Sequence, residues 1–193
     1  GVAAAVALAV AALVAPAVAA PHGRAEGAVA TEAVAWRGVT FAGRTMTQLS
    51  GLVVNAGATD VGQIEVVARF RAAPGGAVLA TGTTVAMLTE LAPGERSPFL
   101  LLVGPLDVAT VGDVELVLHV PTSPGVRERG LEVANVVTRT VAGTPAVFGH
   151  LVNRGPRTAS ATHTNVVAAF WDDAGLRELR AATMPILYQP GTI

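Results

Sequence analysis

Few side chains in this sequence could carry chemistry, and they are scattered. Four histidines, His22, His119, His150 and His163, stand singly. His150 and His163 could form a metal pair if neighbouring strands brought their imidazoles together, but histidines on the solvent face of a strand are the commoner outcome, so no metal is expected. Asp172-Asp173 offers a carboxylate pair for calcium, yet one turn supplies too few oxygens for an ion that takes roughly six to eight. The pair reads instead as turn residues bonding to local backbone. The serines, Ser50, Ser97, Ser123 and Ser160, lie in no strained nucleophile turn. Paired-carboxylate glycoside hydrolysis wants aromatic platforms, and aromatic residues make up 4% of the chain. No P-loop, dinucleotide glycine fingerprint, H-E-x-x-H or G-x-S-x-G occurs. The expectation is a chain with no catalytic residue, no cofactor and no metal. Its two tryptophans, Trp36 and Trp171, are the candidates for an interaction surface. Trp171 falls at an outward position beside an inward Phe170 and is expected to pack on a domain interface in preference to meeting solvent.

The elements that hold these residues come in duplicate. Gly51-Leu52-Val53-Val54-Asn55-Ala56-Gly57 is matched, about a hundred residues on, by Gly149-His150-Leu151-Val152-Asn153-Arg154-Gly155. Val66-Val67-Ala68-Arg69-Phe70 is matched by Val166-Val167-Ala168-Ala169-Phe170, Gly75 by Gly175, and Pro93-Gly94 by Pro190-Gly191. A period this long indicates two copies of a small domain, because solenoid units run roughly 20 to 50 residues. Asn55 and Asn153 are expected to close strand-end turns through side-chain bonds to backbone.

Within each copy the pattern is that of strands. Ile64, Val66, Ala68 and Phe70 fall on one face while Glu65, Arg69 and Arg71 fall on the other. Val114, Leu116, Leu118 and Val120 form a second inward row, and Phe99, Leu101 and Val103 a third. Turn signals separate them at Asn55-Ala56-Gly57, Pro74-Gly75-Gly76, Ala92-Pro93-Gly94 and Gly112-Asp113, and Phe170 through Gly175 reads as a hairpin turn. Strands at this spacing predict an all-β sandwich.

Composition excludes some functions. The net charge is −1 and 14% of residues are charged, which leaves no electrostatic footprint for nucleic acid or an anionic membrane. All basic residues are arginine, as expected from a GC-rich genome. Gly1 to Ala20 carries no charged or polar side chain and ends in Ala17-Val18-Ala19, a small-x-small pattern expected to be cut by signal peptidase after Ala19. An uncleaved membrane anchor is the alternative, since twenty apolar residues just span a bilayer. There is no cysteine, so neither disulfide staples nor a lipoprotein anchor is expected. The missing starting methionine and basic n-region imply that the chain begins downstream of the true start. The expected layout is a signal peptide or anchor over 1–19, a linker over 20–32, a first sandwich over 33–120, a linker over 121–130 and a second sandwich over 131–193 that continues beyond Ile193.

The ordered elements G-x-V-x-N-x-G, V-x-V-x-x-F, F-x-D-x-x-G and L-x-P-G followed by a phenylalanine resemble the FxLYD domain, a small bacterial extracytoplasmic family. The second copy carries Phe170, Asp172 and Gly175; the first has Phe70 and Gly75 with Ala72 where the aspartate would be, but keeps Leu91-Ala92-Pro93-Gly94 through Phe99. The resemblance implies two tandem immunoglobulin-like β-sandwiches, secretion or surface display, and no catalytic residues. The expected function is a non-catalytic interaction or spacer module whose partner is a protein or cell-envelope component, with the membrane involved only through residues 1–20 if these are uncleaved. Accessory domains of a larger secreted enzyme, or a small-ligand binder using the groove between copies, are the alternatives.

Overall fold

The computed structural model describes residues 23–24, 28–121, 130–156, 165–172 and 175–183. The cleavage site, most of the 121–130 linker, His22, His163, Asp173 and Pro190-Gly191 lie outside the described residues. Every described element is a strand except one 3-10 turn, Val108–Thr110. In chain order the strands are β1 (Gly23–Arg24), β2 (Val29–Phe41), β3 (Arg44–Asn55), β4 (Val61–Gly62), β5 (Glu65–Arg71), β6 (Val78–Val85), β7 (Glu90–Leu91), β8 (Arg96–Val103), β9 (Asp113–His119), β10 (Leu131–Val141), β11 (Thr144–Asn153), β12 (Asn165–Asp172) and β13 (Gly175–Thr183).

The first copy folds as two sheets around one core. Strands run β1-β9-β5-β6 in one sheet and β2-β3-β8 in the other, with β4-β7 a short extra pair. The alternation read from the sequence holds: Ile64, Val66, Ala68, Phe70, Val114 and Leu116 are fully buried, and Leu118 nearly so. Phe99 and Leu101 meet them from the opposite sheet in a single cluster, with Val103 and Val120 partly buried at its margin. Gly51 on β3 pairs directly with Phe99 on β8 in the same sheet, and the ring lies across it. A Cβ there would stand 2.9 Å from the Phe99 ring, which explains why the first repeat motif opens on glycine.

The sandwich starts earlier than its sequence suggests. β2 begins at Val29, and Val29 is buried in the core, so the segment 20–32 is not all linker. A bulge hides this strand from a period-two reading: the β2-β3 register shifts between Glu32 and Ala35, and Ala33 sits at φ 49°. One inserted residue exchanges the two faces of a strand, so apolar positions before and after it fall out of phase.

The second copy repeats the backbone of the first in its described strands. β10 pairs with β11 as β2 pairs with β3, with the same register shift between Ala134 and Val137 and with Asn135 at φ 53° in the place of Ala33. Both hairpins turn through an Ala-Gly pair with positive φ at each residue, Ala42-Gly43 and Ala142-Gly143, the conformation that a two-residue hairpin loop demands. β12 pairs with β13 as β5 pairs with β6, and in each pair the register slips just after phenylalanine, between Phe70 and Arg71 and between Phe170 and Trp171. The expected hairpin turn is bracketed by the Asp172–Gly175 pair. The described strands of this copy form these two separate hairpins.

Candidate interaction surface

The two repeat asparagines hold their turns from inside. Asn55 is buried, donates from Nδ2 to the carbonyls of Thr59 (2.8 Å) and Leu91 (3.0 Å), and accepts at Oδ1 from the Gly57 N–H (3.0 Å). Asn153 accepts in the same way from the Gly155 N–H at 2.9 Å. These side chains replace backbone partners that a turn cannot supply.

The residues with chemical potential are dispersed. His119 and His150 are exposed on β9 and β11. No group of three or more His, Cys, Asp or Glu gathers among the described residues. Ser97 Oγ on β8 accepts from the Leu88 N–H at 2.9 Å, a structural bond that ties the segment between β6 and β7 to the sheet. Glu115 lies between Arg69 and Arg71 on the outer face of β5-β9. The hydrogen bond from Arg71 chiefly holds its carboxyl below the usual range, against a smaller opposing effect of desolvation.

The two tryptophans separate. Trp36 is part of the core and cannot serve as a contact surface, which corrects the expectation for it; the bulge at Ala33 turns it inward to pair with Leu49. Its indole Nε1 is buried and has no hydrogen-bond partner. Trp171 is 44% exposed.

The most developed contact between the repeats is one the sequence did not announce. The start of β13 sits on the outer face of β2-β3. There Leu176 is buried to 1% exposure, and the ideal Cβ position of Gly175 would lie 3.3 Å from Ala35 Cβ. Ser50 Oγ donates to the Leu176 carbonyl at 3.0 Å. Arg37 Nη2 donates to the Arg177 carbonyl at 2.6 Å and reaches that of Leu176 at 3.4 Å. Gln48 Nε2 donates to the Arg177 carbonyl at 3.2 Å and the Leu176 carbonyl at 3.4 Å. The cross-strand register passes from Leu176 to Glu178, skipping Arg177, and such a bulge turns a carbonyl out of the ladder. Burial of Arg37 here, and then the neighbouring charge of Arg177, lower its pKa. Polar Gln48 and Ser50 on an outward strand face carried the only sequence signal, and alone they are indistinguishable from a solvated face.

No family model matches the chain, and neither the curated proteins nor the solved structures yield a significant match.

Proposed function

We propose that the chain is a non-catalytic interaction or spacer module of a bacterial cell-surface or secreted protein, built from two tandem FxLYD-like repeats of immunoglobulin-like type and working outside the cytoplasm. The joint between β13 and the outer face of β2-β3 carries this reading. Repeats joined by a tether alone reorient freely, whereas a buried leucine and bonds from Arg37, Gln48 and Ser50 oppose that freedom. A sandwich braced in this way transmits position along the chain and presents turns and sheet edges to a partner protein or envelope component. Exposed Trp171, beside the joint, is the side chain best suited to such a contact. The apolar stretch Gly1 to Ala20 supports delivery across a membrane.

A carboxy-terminal reporter that becomes active only after export tests the location: the full chain, supplied with a start codon and a short basic n-region, is expected to yield active reporter, and inactive reporter refutes it. Cosedimentation with isolated cell envelopes tests contact. Trp171→Ala is expected to lower the bound fraction, and equal binding removes Trp171 from the surface.

A further inference from the structure

The joint uses one half of each repeat, and the geometry points to a second, intermolecular joint formed by the halves left over: the outer face of β10-β11 in one chain receives the β5-β6 hairpin of a second copy, head to tail. The register identifies the parts. Ala35 opposite Ser50, the first pair after the β2 bulge, corresponds to Val137 opposite Phe148; two residues further along β2, Arg37 opposite Gln48 corresponds to Arg139 opposite Ala146. The seat occupied on the first repeat therefore has its counterpart on the second, and there Phe148 is 47% exposed with Val137 exposed beside it.

The inserted element has a counterpart too. Leu176 opposite Trp171 is the first pair beyond the phenylalanine bulge, and Val78 opposite Arg71 is the same pair in the first repeat. The residue skipped by the register is Arg177 in one hairpin and Leu79 in the other, and Leu79 is 42% exposed, next to exposed Val78. The occupied joint is polar, with Gln48 and Ser50 meeting carbonyls. The remaining pair is apolar on both sides: Ala146 and Phe148 would receive Val78, the counterpart of buried Leu176, with Leu79 at the rim, while Arg139 stands where Arg37 captures the Arg177 carbonyl. Apolar surfaces of matched position on two ends of one chain make a heterologous interface, which repeats from copy to copy unless it closes into a ring. This inference goes beyond the spacer reading and is independent of export, since it is read in purified protein.

Sedimentation of the purified full chain tests it. The wild type is expected to grow in mass with concentration beyond one chain. Phe148→Asp and Val78→Asp are each expected to remain at one chain's mass, while their equimolar mixture forms a dimer and nothing larger, because each variant retains the surface that the other lacks. Circular dichroism and the melting temperature confirm that both variants fold, and the milder Phe148→Ala and Val78→Ala serve if either aspartate variant does not. A wild type that stays at one chain's mass, self-association that survives the substitutions, or a mixture that fails to dimerise overturns the proposal.

Discussion

Leu176→Ala isolates what the joint contributes. The leucine belongs to the second repeat but is buried against the first, at 1% exposure, so its truncation removes contacts that only docking creates. A fully buried leucine side chain is worth about 1.5–3 kcal/mol and alanine retains the lesser part, so docking loses about 2 kcal/mol. The backbone carbonyls of residues 176 and 177 survive the substitution, so the bonds from Arg37, Gln48 and Ser50 remain available. At 1.4 kcal/mol per factor of ten, the undocked population of the β12-β13 hairpin rises about thirtyfold. Amide hydrogen exchange reads this segment by segment, since local opening and global unfolding carry different free energies. Amides of β12 and β13 are expected to exchange about thirtyfold faster while those of β5 and β9 change by less than about twofold. Unchanged exchange in β12-β13 would show that the hairpin is not held by this contact. Equal acceleration in β5 and β9 would show that Leu176 supports the whole fold rather than a joint.

Two further substitutions test the scaffold. Asn55→Ala removes three side-chain bonds in one buried turn, leaving the Leu91 and Thr59 carbonyls and the Gly57 N–H without it, and is expected to cost about 3 kcal/mol, read as a lower urea midpoint at unchanged slope; an unchanged midpoint refutes the role assigned to this asparagine. Glu115→Gln addresses pH. The Arg71 bond, aided by the Arg69 and Arg71 charges, lowers the folded carboxyl's pKa below its unfolded value, so the unfolded chain takes up the proton first and stability falls as acid carries pH from the ordinary carboxylate range down through the folded value. The contribution is fully present above that range. Partial exposure limits it to less than about 1 kcal/mol. The glutamine variant is expected to lack this part of the acid limb in a series of unfolding curves, and an identical limb in both proteins refutes the assignment.

The inward rows of β5, β8 and β9 were legible because each strand buries one face and runs without interruption, so chemistry alternates with geometry. β2 was not legible. Its bulge exchanges faces at Ala33, leaving Val29 and Trp36 buried on either side of a break in phase, so a period-two pattern starts the sandwich too late and leaves Trp36 on the surface. The Asn-x-Gly turns are legible from residue type alone, since few side chains besides asparagine can both accept from and donate to backbone in a strand-end turn. The joint escaped for a different reason. Its acceptors are carbonyls of residues 176 and 177, which every sequence possesses, and what exposes them is a register slip. Side-chain patterns report which face is apolar; they say nothing of which carbonyl a bulge turns outward.

Comparison of the copies separates scaffold from specificity. Their shared features are backbone features: a bulge at Ala33 and Asn135, positive-φ turns at Ala42-Gly43 and Ala142-Gly143, and a slip after Phe70 and Phe170. Each fixes where a strand bends or which residue faces outward, and each tolerates change in the exposed side chains. The outer faces, free of that demand, differ: Gln48 and Ser50 in one copy stand where Ala146 and Phe148 stand in the other. A hydrogen-bonding seat is directional and pins one register, whereas an apolar seat rewards burial with little regard for angle. A polar joint within the chain and an apolar face at its far end thus assign different work to one duplicated frame. The first sets the relation between repeats; the second is open to a partner.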